Sequence, residues 1–155
     1  MVSLTLDMLN DVSTLLERDL NKLIHDLNLY KDEKDIWRTL KGTSNSGGNL
    51  TLHLLGNLNY FIGATLGGTG YVRERDQEFL LKDIQRNILI EEINKTILII
   101  KNTLSALPEK DLEKDFPVAV NSQTYSIAFM LLFILSHLNY HLGQVNYLRR
   151  LIENK

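Results

Sequence analysis

Four long stretches of this chain repeat apolar residues at steps of three and four, the period of an α-helix, and runs rich in glycine, proline and polar residues separate them. The first stretch runs from about Leu4 to Tyr30, with Leu9, Val12, Leu16, Leu20, Leu23 and Leu27 on one side and Arg18, Asn21, Lys22, His25 and Asn28 mainly on the other. The second runs from about Leu50 to Leu66, after a loop-like Gly42–Gly48 run that leaves Asn49 as a plausible N-cap. The third is expected from about Leu80 to Ala106, with Leu81, Ile84, Ile88, Ile93, Ile97, Ile100 and Leu104 as its buried stripe and Pro108 as its stop. The fourth starts near Ser122 or Thr124 and reaches about Ile152. Strand and hairpin signals are lacking. This pattern predicts an all-α fold, an antiparallel four-helix bundle, with residues 1–155 as a single domain.

Glycine spacing adds a packing expectation. Gly56 and Gly63 lie seven residues apart on one face of the second helix, where each costs about 1 kcal/mol relative to alanine. That pattern predicts close approach by a neighbouring helix or a partner chain. The fourth segment is apolar nearly all round from Ile127 to Leu135, which a helix on the outside of a small bundle should not be. A homodimer that covers this outer face is the expectation.

Composition removes whole classes of function. The 155 residues contain no cysteine, so disulfides, thiolate zinc sites, iron–sulfur clusters and a cysteine nucleophile are excluded. The net charge is −2 with acids and bases interspersed, which argues against nucleic acid as a partner. The apolar run at Ile127–Leu135 is far shorter than the roughly 20 residues a membrane span needs, and the N-terminus lacks the basic and apolar regions of a signal peptide. A cytoplasmic location is expected.

The chemistry resides in histidine. His137 and His141 are four residues apart, hence one turn apart on one helix face, shared with Ile134, Gln144 and Leu148. His53 lies among leucines on the second segment. If the second and fourth helices are neighbours, three neutral imidazoles converge and leave positions open for water or substrate, a donor set that suits zinc, nickel, copper or iron. The competing reading is that these are hydrogen-bonded core histidines. His25, on a polar face, is expected to be solvated. Leu138 stands where a zincin protease needs its glutamate, no Glu-x-x-His pair marks a di-iron bundle, and no nucleophile elbow surrounds Ser136. A mononuclear site is therefore expected. Gln144 and Asn57 are candidates to orient an imidazole, with packing as the alternative role. Gly143 can admit another backbone. Tyr60 and Tyr140 can line a pocket or simply pack. Arg73 and Arg75 can bind an anionic substrate, although solvated surface charge competes with that role. No general base stands out.

A histidine early in the second long helix, followed by His-x-x-x-His-x-Gly-Gln late in the fourth, resembles the DinB-like superfamily of bacterial four-helix-bundle proteins. Trp37 with the Asn/Ser/Gly loop after it, and Gly70–Asp76 with Phe79, are similar to that family too, so the resemblance covers essentially the whole chain. It implies an up-down-down-up bundle, usually dimeric, with one divalent metal ion, commonly nickel or zinc, held by His53, His137 and His141. It further implies relatives among thiol-dependent transferases and isomerases that use a low-molecular-weight thiol, and among metal-dependent hydrolases. Two functions stay open on sequence: a metal-dependent enzyme acting on a small substrate or thiol, and a non-catalytic dimeric binding or interaction protein that keeps the bundle.

Overall fold

A computed structural model describes residues 7–154, and they are all-helical. The helices are α1 (Met8–Leu29), α2 (Gly47–Leu58), α3 (Arg75–Leu80), α4 (Arg86–Ala106) and α5 (Ile127–Glu153). A π-helical stretch, Asn59–Leu66, continues α2, and 3-10 turns lie at Glu33–Trp37 and Glu109–Asp111. The expected start of the first helix near Leu4 lies outside the described residues. Along α1 the predicted stripe is right: Val12, Leu16, Leu20, Leu23 and Leu27 are buried. Each such side chain contributes about 1.5–3 kcal/mol of transfer free energy. α1 packs on α5 and α4, while α2 packs on α5 and α3, with its π-helical continuation against α4.

The second helix begins earlier than expected. Ser46 caps it, accepting from the Asn49 backbone N–H, and Gly47 and Gly48 form its first turn rather than a loop. Both glycines make room for rings. A Cβ on Gly48 would overlap the Trp37 indole, and one on Gly47 would press on the Tyr30 hydroxyl. Asn49 is therefore not the N-cap. Its buried side chain donates to the backbone oxygens of Glu78 and Leu81, 3.0 and 2.8 Å away. Those are orphan carbonyls at the end of α3, so Asn49 caps a different helix and clamps it to α2.

The third predicted segment divides. Residues 75–80 form α3, inside what reads as a polar connection, and α4 begins only at Arg86. Leu81 is extended and Asp83 sits at φ +59°, so no helix can run through them. Trp37 Nε1–H donates to the Ile84 carbonyl and holds this break against the core. Leu81 and Ile88 are exposed rather than buried, and Leu89 takes the inward place on α4.

The fourth helix begins at Ile127, capped by Ser126, not at Ser122 or Thr124. Asn121 and Ser122 have positive φ and form a tight turn closed by an isolated antiparallel bridge, Val120 with Gln123, and a second such bridge joins Asp115 to Ser126. Sequence offered no sign of this pairing. It does useful work for the helix, because the first N–H groups of α5, on Ile127 and Ala128, donate to the carbonyls of Lys114 and Leu112. The outward face of α5 carries exposed Phe129, Leu132 and Phe133. No helix among the described residues is long and apolar enough to cross a membrane.

Candidate metal centre

α2 and α5 bring His53, His137 and His141 together. His53 lies one turn beyond Asn49, so the clamp that holds α3 also fixes its surroundings, and the residue is 7% exposed. His137 Nε2 lies 3.1 Å from His53 Nε2 and 3.1 Å from His141 Nε2. Nitrogens bound about 2.0–2.1 Å from a tetrahedral divalent ion stand about 3.3 Å apart, so the spacing suits a shared ion.

The far side of each ring decides where its lone pair points. His53 Nδ1 is 3.0 Å from Glu78 Oε1, and a carboxylate only accepts, so the ring proton sits on Nδ1. Arg73 Nη2 is also 3.4 Å from Nδ1, but it donates to the same carboxylate at 2.9 Å. His141 Nδ1 is 2.7 Å from Gln144 Oε1, which places a proton there too. With each Nδ1 carrying its proton, the neutral form of either ring aims a bare Nε2 at His137 Nε2. One proton on His137 Nε2 can satisfy only one of these contacts. A cation among the three nitrogens satisfies all three Nε2 atoms and leaves the His137 proton on Nδ1, which is buried without a partner, and this cluster could hold a metal ion.

The electrostatics agree. Burial, then the neighbouring His141 and His53, push His137 down to about 4, so at pH 7 its imidazole is neutral. Burial lowers His141 as well, against the Gln144 hydrogen bond. Burial works to raise the Glu78 carboxyl, but hydrogen bonds from His53 and Arg73 outweigh it, and the group is held below its ordinary value as an anion.

Gln144 thus meets its expected contact, although it lies on the exposed rim rather than facing inward. Asn57 does not: it makes no bond to His53, and its Oδ1 is buried without a partner. Arg73 is neither a free anion site nor solvated charge, since both its Nε and its Nη2 donate to Glu78 and its side chain is 13% exposed. Arg75 is exposed, with its guanidinium over the Phe79 ring. Tyr140 is exposed, with its ring edge-on to His141 at 5.1 Å. Within the chain nothing lies within 4 Å of a Cβ built on Gly143. Gly56 is approached by a side chain, not by a helix: its missing Cβ leaves the space that the Glu78 carboxylate fills.

Glu78 is the residue that sequence reasoning missed. It sits in a charged run with no periodicity to mark it, and its one trace is the glycine at position 56, whose spacing points to a neighbouring helix or chain instead. A hollow of about 960 Å³ between residues 31–37 and 83–87 contains none of the histidines. A smaller one of about 390 Å³, beside residues 42–45, has no histidine in its lining either, but has Gln144 in its wall. A family model described as "Protein of unknown function (DUF1572)" matches residues 5–155. No curated protein matches the chain.

Proposed function

We propose, from the premise that this chain belongs to the DUF1572 family of proteins of unknown function, that it is a divalent-metal-dependent enzyme acting on a small substrate by thiol transfer or hydrolysis. The observation that carries the reading is the convergence of the Nε2 atoms of His53 and His141 on His137 Nε2, each ring met from behind at Nδ1 by an acceptor. Three neutral protein ligands with room for others is the donor set of catalytic rather than structural sites. A metal bound there would supply Lewis acidity and lower the pKa of a coordinated water or thiol.

The chain's own residues do the rest. His53, His137 and His141 hold the ion, and Gln144 keeps the His141 proton on Nδ1. Nickel and zinc are the proposed metals, on the resemblance to DinB-like proteins, as is the four-helix up-down-down-up topology. The hollow beside Gln144 is the proposed substrate space. Its walls, including Leu50, Tyr147, Leu148 and Leu151, carry no charged group, which suits an uncharged, partly apolar molecule better than an anion. A homodimer through α5 belongs to the same proposal. No Asp, Glu, Lys or Arg occurs between Ile127 and Leu148, while Phe129, Leu132, Phe133, Tyr140 and Tyr147 are exposed.

Elemental analysis of tag-free protein tests the core of this reading. About one divalent metal per chain is expected, and it should be lost in a His137→Ala/His141→Ala variant. Native protein that takes up no zinc or nickel on reconstitution would sink the enzyme reading and leave histidines that only pack.

A further inference from the structure

We propose that Glu78 is the positioning residue of this centre: it fixes His53 as the Nδ1–H tautomer and so aims the His53 Nε2 lone pair at His137 and His141. The proposal rests on the three-histidine metal reading and gives that site its missing orienting carboxylate. Three donors meet on one buried side chain: His53 Nδ1 at 3.0 Å, Arg73 Nε at 2.8 Å and Arg73 Nη2 at 2.9 Å. Only an ionised carboxylate accepts all of them; an amide or a protonated acid would turn a donor toward a donor. Arg73 grips the group in two-pronged fashion, which sets its plane as well as its position.

α2 is shaped to receive it. A Cβ at Gly56 would overlap the Glu78 carboxyl group, so a glycine that costs the helix about 1 kcal/mol marks the seat of the carboxylate. Gly56 is three residues beyond His53, on the adjoining face of the same helix. Asn49 then holds the Glu78 main chain itself, through the Glu78 carbonyl. An ion pair made only for stability would need neither the hollow nor the imidazole. The arrangement is that of a carboxylate behind a metal-binding histidine, which fixes the ring and raises its basicity.

The test uses two variants and two readouts. Glu78→Met/Arg73→Met removes the acceptor and its counter-charge together, so no unpaired charge stays buried. Gly56→Ala leaves both charged groups in place but fills the seat. In metal-free protein, nitrogen-15 NMR of the histidine rings should show His53 as the Nδ1–H tautomer in the native chain and as a mixture in each variant that circular dichroism shows to be folded. Calorimetric titration with Zn²⁺ should show about 10- to 100-fold weaker binding in those variants. An unchanged His53 tautomer and unchanged zinc affinity in a folded variant would overturn the proposal while leaving the metal reading intact. A tautomer shift in a chain whose native form binds no zinc would keep the positioning role and reject the metal reading.

Discussion

Glu78 and Asp26 are close counterparts in surroundings and opposites in use. Both are buried, and each accepts from an arginine whose side chain is mostly buried, Arg73 and Arg149 respectively. The difference lies in the remaining donor. For Asp26 it is the Asn146 amide at 3.0 Å, and the pattern repeats seven residues earlier, where Asn139 donates to buried Asp19 at 2.6 Å. Two Asp–Asn pairs one heptad apart tie α1 to α5 in a single register. For Glu78 the remaining donor is a histidine ring whose other nitrogen faces two more imidazoles. A buried ion pair is therefore no mark of function in itself. What the third donor does with its far side decides.

That contrast breaks most directly at Asp26. Asp26→Leu strips Arg149 and Asn146 of their acceptor and leaves a buried charge unpaired. A loss of about 3–5 kcal/mol is expected, since breaking one partner of a buried pair costs that much. For a chain of this size, that is a fall in melting temperature of roughly 6–20 °C. Zinc stoichiometry and affinity of the folded protein should not change. Denaturation and calorimetry on one preparation check both, and a fall in zinc affinity at temperatures where the variant is fully folded would erase the distinction between the two carboxylates. Glu78 reverses the pattern, with its larger effect on the metal.

Gln144 sharpens the comparison at a smaller scale. It does for His141 what Glu78 does for His53, accepting from Nδ1, but it is neutral and lies on the exposed rim. A neutral acceptor adds less basicity to the ring, and water can replace it. Gln144→Ala should therefore weaken Zn²⁺ binding by about tenfold or less, the low end of the range for such partners. Stability should stay within about 0.5 kcal/mol, as for other surface changes. A loss as large as that from the Glu78 variants would show that charge and burial do not set the ranking.

The same contrast separates what the sequence alone makes legible from what it hides. The His137/His141 pair and the α1 stripe follow from helix periodicity alone, because each concerns residues on one continuous face. The all-helical class follows for the same reason. The end of α3, the start of α4 and the place of Glu78 do not, because they depend on contacts between distant parts of the chain. Asn49 resembles an N-cap to its own neighbours and turns out to cap α3, 29 residues away. Asp83 breaks a segment whose apolar spacing reads as unbroken helix, and Trp37 secures the break from across the fold. Gly56 was legible as a close approach, but a missing Cβ cannot say whether a helix or a carboxylate fills the space.

Gly143 carries the smallest expected effect and bears on the outer face of α5, which neither carboxylate touches. Within the chain it is exposed, and nothing stands within 4 Å of a Cβ at that position. Alanine there should stabilise the helix by about 1 kcal/mol, the ordinary difference between the two residues in a helix interior. The proposed dimer opposes that gain. Tyr140 and Tyr147 flank Gly143 one turn away on either side, both exposed, so a second α5 crossing there would meet the glycine as the low point between two rings. A methyl group at the crossing would hold the helices apart. Gly143→Ala should then raise the melting temperature of dilute, monomeric protein while weakening self-association measured by sedimentation. A rise in stability with self-association unchanged would place the crossing elsewhere along α5, toward Phe129, Leu132 and Phe133.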